Sequence, residues 1–507
     1  VTSLDKYSQC IRMYHSVLQA KMQYTKIGNG SYGQVYRKST NTVVKECDKY
    51  DKTINALNRT IELSTVTELA VLGINGLKHT PRLQEFQSTP NGKILISMDN
   101  GGRTLLDVAK ALSMSERINF VTKYAFQLIE SCVYLQENGI IHNDIKSSNV
   151  LVNKQNNLTL IDFGLCAFET IDRTDTNFIS SGTAMACEYG TYAICPPETF
   201  VTKSWIVDKY MPWSIGITLC EFLFKTHSFI CDFVLSDTER QYYKAYYNND
   251  WVIKHHLGQV YNSRLQRNSP LIDFSKYVSI PGDLQNLLTS MLELDPNNRK
   301  TLNELYGLPI FDKFKDTTSK PSKSVFGNIA ELHCGIVGKP ASPCGRTEYY
   351  KDTRTKAINY IFDMYFTFNR THLFTHAVTL FDKYCAFRPV EIKDLLLVGL
   401  ACAYIVQYID KNKPVPINVF MDTLQWVSRA GFVQLPHLNN VMEDILFCCN
   451  YNIYSVTFDV LVAKNGESVD MVNVLDVMRT TLPPYNNSTL LKKYIDKMQL
   501  ERQVSKV

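Results

Sequence analysis

The stretch that decides how this chain folds is Ile140–Gly164, IIHNDIKSSNVLVNKQNNLTLIDFG. It opens with His142, Asp144, Lys146 and Asn149 at fixed offsets, passes an apolar run rich in β-formers, and closes on Asp162-Phe163-Gly164. Phosphoryl transfer asks for side chains of these kinds: a carboxylate beside the attacking hydroxyl, a cation on the moving phosphate, and two oxygen ligands for Mg²⁺. Upstream, Ile27–Cys47 reads IGNGSYGQVYRKSTNTVVKEC, where Gly28, Gly30 and Gly33 form GxGxxG and Val35 follows. Alternating residues there predict two strands around an Asn41-Thr42 turn. Glycines in such a hairpin let the backbone lie close over phosphates.

Composition narrows the class. At 507 residues, two or three domains are expected. A formal charge of +5 is small for this length, so no broad polyanion-binding surface and no nucleic-acid partner is implied. Fourteen cysteines without a CxxC pair or Cys/His ligand spacing argue against zinc. Cys166, Cys402 and Cys448 sit in apolar patterns and are expected to be buried free thiols, which suits a reducing cytoplasmic or nuclear compartment. The first residues are polar and lack the apolar core of a signal peptide. Leu395–Ile409 is nearly all apolar but too short for a membrane span, so a buried helix and no membrane are expected. Sequons at Asn58, Asn157 and Asn369 are then chance matches.

In order, the glycine loop, Lys45 after Val43-Val44, the His-Asn-Asp loop and Asp162-Phe163-Gly164 resemble the protein kinase family. The resemblance implies an α+β bilobal protein kinase fold over residues 24–315, after a helical extension over 1–23 (amphipathic from Leu4 to Gln23). It implies ATP and Mg²⁺ as cofactors and protein serine or threonine hydroxyls as acceptors. Asp144 would be the base, Lys146 would meet the γ-phosphate, and Asn149 and Asp162 would hold the metal. Gly28, Gly30, Gly33, Val35 and Val43 would line the nucleotide. Met98 would be the gatekeeper at the end of an Ile94–Met98 strand, and the Asp99-Asn100-Gly101 backbone would bond adenine. Lys45 would reach the α/β-phosphates and needs a helix carboxylate. Glu62 and Glu68 compete, and the apolar residues after Glu68 favour it. Thr191 matches a threonine that bonds both the catalytic aspartate and lysine. A long helix over Ile118–Leu135, a Glu198–Arg299 ion pair and a central helix at Trp213–Gly216 complete the pattern. Where that helix usually carries an aspartate this chain has Met211, with Asp208 as the candidate substitute.

Within the family the chain resembles the cyclin-dependent kinases. Ser64–Leu72 is similar to their PSTAIRE helix with one residue fewer, Ser31-Tyr32 stand in the glycine loop, and Leu287–Phe314, with DPNNR, is similar to their closing helices. Residues 316–346 shift to Lys, Ser, Thr, Pro and Gly and read as a linker. Extended, it spans on the order of 100 Å at ~3.3 Å per residue. Beyond it, helices are expected over Lys356–Phe368, His372–Cys385, Val390–Ile409, Ile417–Ala430 and Leu438–Cys449. Thr375–Lys383, Leu395–Ala403 and Val441–Leu446 with Asn452–Asp459 resemble, in order and spacing, a cyclin box. An all-α cyclin-like five-helix domain is therefore expected over 347–465, with a helical tail over 466–507. Glu443 matches a glutamate that cyclins present to the kinase; its usual lysine partner is Tyr408 here.

Three arginines clamp the activating phosphate in that family, and here their positions read Thr67, Asn143 and Ala167. The expectation is a monomeric enzyme switched through contact with its own cyclin-like domain, independent of activation-segment phosphorylation. The alternatives are a pseudokinase scaffold that recruits or competes for cell-cycle or transcription regulators, and a small-molecule phosphotransferase. Gly190 suits a proline pocket next to the target residue, but the arginine that helps hold it is Cys195, so proline direction stays open. Fusion of both halves in one compact chain points to a large DNA virus as source.

Overall fold

The computed structural model describes residues 24–315, apart from 31–32, 50–61, 75, 90, 139, 169–191, 202–206, 247–248 and 278. It also describes 348–480, apart from 369, 389, 391–393, 410–414, 418, 423–434 and 450–470, and residues 493, 496 and 497. The expected helix over Leu4–Gln23, the linker, Ser31, Tyr32, Gly190 and Thr191 lie outside the described residues. The chain divides into two compact units, the first made of most residues up to Lys315 and the second chiefly of those from Asp316 on.

The first unit begins with five antiparallel strands, β1 (Thr25–Gly30), β2 (Gly33–Arg37), β3 (Thr42–Asp48), β4 (Leu83–Ser88) and β5 (Lys93–Asp99). They lie in the order β1-β2-β3-β5-β4. The β-branched pair Val43-Val44 and the alternating Ile94, Ile96 and Met98 are buried, which fixes the register of β3 on β5. That register sets Lys45 opposite Ile96 and Val43 opposite Met98. Helix α1 (Leu63–Leu72) follows β3, and Glu62 caps it by accepting from the Ser64 N–H. Val66, Leu69, Ala70 and Val71 of α1 are all buried, as expected of a helix without a solvent face.

Helices dominate the rest of this unit. α2 (Leu105–Ala111) is capped by Thr104. α3 (Met114–Glu137) starts a turn before the expected Ile118, because Ser113 and Glu116 form a reciprocal capping box. The short strands β6 (Val150–Val152) and β7 (Leu158–Leu160) pair as a hairpin between Asn149 and Asp162. α4 (Val207–Phe224) is the central helix, with Tyr210, Met211, Trp213, Ile217 and Phe222 fully buried. α5 (Asp237–Ala245), α6 (Asp250–Gln266), α7 (Gly282–Met291) and α8 (Leu302–Tyr306) complete it.

The Glu198–Arg299 pair is present and bidentate, at 2.7 and 2.9 Å. Arg299 is fully buried, and its remaining N–H groups donate to the carbonyls of Glu293 and Lys209. Its guanidinium also lies 5.0 Å from the Trp213 ring. All five donors of a guanidinium are thereby used, which offsets much of the desolvation cost of burying it.

The second unit is helical: α9 (Glu348–Thr367), α10 (Phe374–Phe387), α11 (Leu395–Ile409), α12 (Leu435–Cys448) and α13 (Met471–Thr480). α11 packs on α9, α10 and α12. A Cβ at Gly399 would stand in ordinary van der Waals contact with Ile361 and Ala357 of α9, at 3.4 and 3.5 Å, so the two helices meet closely there without requiring glycine. Helix bounds differ from expectation. α9 begins eight residues before Lys356, and α11 begins at Leu395 rather than Val390, with Asp394 just before it in 3-10 conformation. Of the expected Ile417–Ala430 helix, residues 417 and 419–422 are described, and helical. Arg354 and Asp382 form a buried bidentate pair between α9 and α10, at 2.8 and 2.6 Å. Arg354 also donates to the Met478 carbonyl, tying α13 into the bundle. Cys166 and Cys402 are buried as expected, whereas Cys448 is only half-buried. Among the described residues no helix is long and apolar enough to cross a membrane.

Replacing Glu198 by Gln strands the Arg299 charge in the interior. The expected loss is about 3–5 kcal/mol, seen as a lower midpoint of the first unit's unfolding transition. An unchanged midpoint would show that the other acceptors suffice.

Candidate active site

Three elements of the first unit converge on one ammonium. Lys45 Nζ, carried by β3, lies 2.6 Å from Glu68 Oε2 of α1 and 2.8 Å from Asp162 Oδ1, just past β7. Burial works against the Lys45 charge, but the two carboxylates outweigh it and hold the group above its ordinary pKa. Burial likewise opposes ionisation of Asp162, yet Lys45 prevails and keeps that carboxyl below its usual range. Of the two glutamates in competition, Glu68 therefore makes the pair, and Glu62 serves as a cap.

The catalytic-loop residues are ordered by one another. Lys146 Nζ is 2.8 Å from Asp144 Oδ2. Asn149 Nδ2 donates to both the carbonyl and the carboxylate of Asp144, each at 2.9 Å. The amide oxygen of Asn149 is then the atom suited to a hard cation, with Asp162 as the second oxygen ligand. His142 Nε2–H donates to the Ile161 carbonyl at 3.1 Å, and its Nδ1 accepts from the Asp144 N–H at 3.3 Å. That pairing sets the tautomer and ties the loop to the residue before Asp162. Burial raises the Asp144 carboxyl above its ordinary pKa, against the pull of Lys146 and Asn149. Asn143 and Asp162 both adopt left-handed backbone, at φ 61° and 68°.

Along the nucleotide side, Gly28 faces Val35 and Gly30 faces Gly33 across the β1–β2 hairpin. Gly28 has open space where a side chain would stand, as a backbone close to phosphates requires. Gly33 has a different reason to be glycine: a Cβ there would collide with the Glu46 carbonyl on β3. At the expected adenine edge, the Asn100 N–H donates to the Asn41 carbonyl at 2.9 Å, and the Asn100 side chain bonds Thr40 and Gly102. The Asp99 N–H is likewise committed, to the Arg82 carbonyl. Asn100 thus shapes the turn through protein contacts, and the N–H groups of Asp99 and Asn100 are engaged within the protein. Met98 is buried on β5.

Asp208 does not replace the aspartate missing at Met211. Its carboxylate accepts from Gln136 Nε2 at 2.5 Å. The loop is held to α4 by other groups, none of which the sequence pattern singled out. Tyr210 Oη–H donates to the Asn143 carbonyl at 3.4 Å, and Thr218 Oγ1–H is shared between the Ser214 carbonyl of its own helix at 2.8 Å and the Ile145 carbonyl at 3.1 Å. Glu221 accepts from the Ser147 N–H at 3.3 Å. The backbone of the loop is thereby tied to α4 at residues 143, 145 and 147. A second missed anchor is Glu130 of α3, which accepts from His79 Nε2 at 2.8 Å and from Lys78 and Tyr306 at 3.4 and 3.3 Å. The His79 carbonyl in turn accepts from Leu160 N–H, two residues before Asp162. Both anchors are polar residues within apolar or irregular stretches, and spacing alone does not reveal them.

The sequence model described as "Protein kinase domain" matches residues 22–311. Maternal embryonic leucine zipper kinase of Xenopus tropicalis is 24% identical over 336 residues, covering 66% of this chain and 44% of that protein. Aurora kinase of Schizosaccharomyces pombe is 25% identical over 311 residues, covering 59% and 73%. CBL-interacting protein kinase 14 of Oryza sativa subsp. japonica is 28% identical over 200 residues, covering 38% and 42%. The chain thus spans less than half the length of two of these three relatives.

Glu221 supplies a test of the α4 contacts. Burial pushes its carboxyl up to about 7 from 4.5, against the hydrogen bonds from Ser147 and the charge of Lys146. A folded-state value above the unfolded one gives stability that is complete below about 4.5 and is lost as pH rises through about 7. Glu221→Gln removes that titration, so the variant should gain thermal stability relative to wild type between pH 5 and pH 8. Parallel pH profiles for the two proteins would rule out titration of Glu221 in that window.

Proposed function

The chain belongs to the protein kinase family, and from that premise we propose that it is an active serine/threonine protein kinase of the cyclin-dependent type. Its helical second unit, in this reading, switches it in cis. The observation that carries the catalytic part is the bracketing of Asp144 by Lys146 and Asn149 beside a closed Lys45–Glu68–Asp162 cluster. ATP, when bound, supplies the γ-phosphoryl group, and Mg²⁺ offsets the charge that gathers on it. The side chains present fit both groups: Lys45 for the phosphates, Gly28 for close backbone approach, and Asn149 with Asp162 for the metal.

Asp144 would take the proton of the attacking hydroxyl. Its raised pKa makes it a stronger base than a solvated aspartate. Asn149 fixes the carboxylate by two hydrogen bonds, and Lys146 keeps one oxygen paired while the other is offered to the substrate. Glu68 holds Lys45 in place, so the position of α1 decides whether the phosphate-binding cation is aligned.

Control is the finer part of the proposal. Two of the three positions where the cyclin-dependent kinases clamp an activating phosphate are Thr67 and Asn143, both buried and uncharged. The third is Ala167. A phosphate in the activation segment would gain few charge-assisted hydrogen bonds from these. The order and spacing of segments in the second unit support a cyclin-like role, namely holding α1 inward. A tether gives an effective concentration of about millimolar, enough to keep a modest interface occupied.

Two measurements check this. Asp144→Asn should lower kcat for phosphate transfer to a protein by about 10²–10⁴-fold, and the acid limb of the wild-type kcat profile should lie above the ordinary aspartate value of 3.8. Equal transfer by the variant would remove Asp144 as base. Phosphatase-treated full-length protein should keep its rate, while loss of residues 347–507 should cost about 100-fold, as when the competent state falls to about 1%. Adding 347–507 back in trans should restore activity to 1–315. A large loss on dephosphorylation, or full activity without the second unit, would contradict control in cis.

A further inference from the structure

Two departures from the family pattern meet at one hydroxyl, and a third stands beside it in the sequence. Tyr210 of α4 is fully buried. Its Oη–H donates to the Asn143 carbonyl at 3.4 Å, and the Cys195 sulfur lies 3.6 Å from its oxygen. A phenol carries a single proton. With that proton given to Asn143, the oxygen accepts from the Cys195 thiol. A short chain, Cys195 S–H to Tyr210 O–H to Asn143 C=O, thus joins the segment leading into Glu198 with the residue before Asp144. One turn along α4, Ser214 Oγ–H donates to the Ile194 carbonyl at 3.1 Å, so the same helix also grips the neighbour of Cys195.

Asn143 and Cys195 stand where the family pattern has arginines, and Met211, next to Tyr210, stands where it has aspartate. Each departure removes a charge, and removing only one would strand its partners in the interior. Asn143 also has φ 61°. Among residues with a side chain, asparagine tolerates that left-handed conformation best. Its Nδ2–H donates to the Leu165 carbonyl at 3.2 Å, behind Asp162-Phe163-Gly164. A residue kept in a sparsely populated backbone region persists when its surroundings over-determine it. Here the Leu165 carbonyl holds the side chain of Asn143, and the Tyr210 hydroxyl holds its carbonyl.

We propose that Tyr210 is a positioning residue, whose hydroxyl fixes the left-handed turn at Asn143 that aims Asp144 and couples that turn to Cys195. The inference rests on the kinase reading with Asp144 as base. Tyr210 acts through Asn143 and touches none of Lys45, Glu68 or Asp162 in the contacts described above, so its loss should appear in kcat and spare nucleotide binding.

The test compares Tyr210→Phe, Cys195→Ala, Cys195→Ser and the double variant Tyr210→Phe/Cys195→Ala, all in the full-length chain. Tyr210→Phe should lower kcat by about 3- to 10-fold, the worth of one buried hydrogen bond, with KM for ATP within about twofold of wild type. Cys195→Ala should lower kcat less, Cys195→Ser should retain it because a hydroxyl still donates, and the double variant should be no slower than Tyr210→Phe alone. Unchanged kcat in Tyr210→Phe, a matching rise in KM for ATP, or multiplicative losses in the double variant would overturn the proposal. If Tyr210→Phe does not fold, the contrast between Cys195→Ala and Cys195→Ser decides: equal rates overturn it, and a slower alanine variant supports it. Asp144→Asn assayed alongside separates the two readings, since wild-type transfer by that variant strikes the base assignment and leaves the kcat differences at Tyr210 to stand or fall by themselves.

Discussion

A buried ammonium shared between two carboxylates is the constraint on which the first unit depends. Lys45 is on the sheet, Glu68 on a helix with no solvent face, and Asp162 at the end of a hairpin from the other half of the unit. Charges this deeply buried lose several kcal/mol each on leaving water, and only close, well-directed partners repay that. The cluster is therefore stable when all three elements are in register and unfavourable when one is displaced. Displacing α1 would leave Lys45 with Asp162 alone and expose Glu68 to a search for another partner. A contact with that all-or-none character suits a switch better than a graded one, because packed elements move between discrete arrangements.

The second constraint is α4, and it works with weaker, neutral groups. Tyr210, Ser214 and Thr218 hold backbone carbonyls at Asn143, Ile194 and Ile145, and Glu221 holds the Ser147 N–H. Each neutral hydrogen bond contributes about 1 kcal/mol net, so no single one matches an ion pair. Their strength lies in spacing. A helix offers a donor at nearly every turn, and an extended loop presents a backbone group at every second residue, so several modest bonds act along one line. An ionic counterpart is Glu198 with Arg299, where every guanidinium donor is used.

Much of this was legible in the sequence. The order of GxGxxG, Lys45, the catalytic loop and Asp162-Phe163-Gly164 gave the kinase fold, and the same motifs placed Asp144, Lys146 and Asn149 together. The choice of Glu68 over Glu62 followed from which residues continue the helix. The motifs are legible because their spacing is dictated by substrate geometry, which leaves chemistry-bearing residues at fixed offsets. What failed was of another kind. Asp208 looked like a substitute because of its charge, but helical rotation turns it toward Gln136. The Asn100 N–H bonds the Asn41 carbonyl at the end of the β3–β5 pairing, a long-range contact that local spacing does not show. Tyr210, Glu221 and the Glu130 cluster gave no signal, since a polar side chain inside an apolar run has no period to stand out from. Helix starts in the second unit were misplaced because periodicity locates the middle of a helix, whereas caps locate its ends.

The departures at Thr67, Asn143 and Met211 bear on one another through burial. Among the described residues, neither Thr67 Oγ1 nor Asn143 Oδ1 has a hydrogen-bond partner, and both residues are buried. A guanidinium in either place would need a counter-charge, and a phosphate is the group that supplies one in the cyclin-dependent kinases. Without the arginines these two positions carry no charge, and in the reading proposed above they need no phosphate to balance them. The energetic cost is a loop held by hydroxyls and one amide rather than by a charged knot. That cost is tolerable only if α1 is kept in place by something other than a phosphorylated segment. In the reading proposed above that role falls to a domain tethered to the same chain, since a tether, and not the bulk concentration, would set how often it arrives.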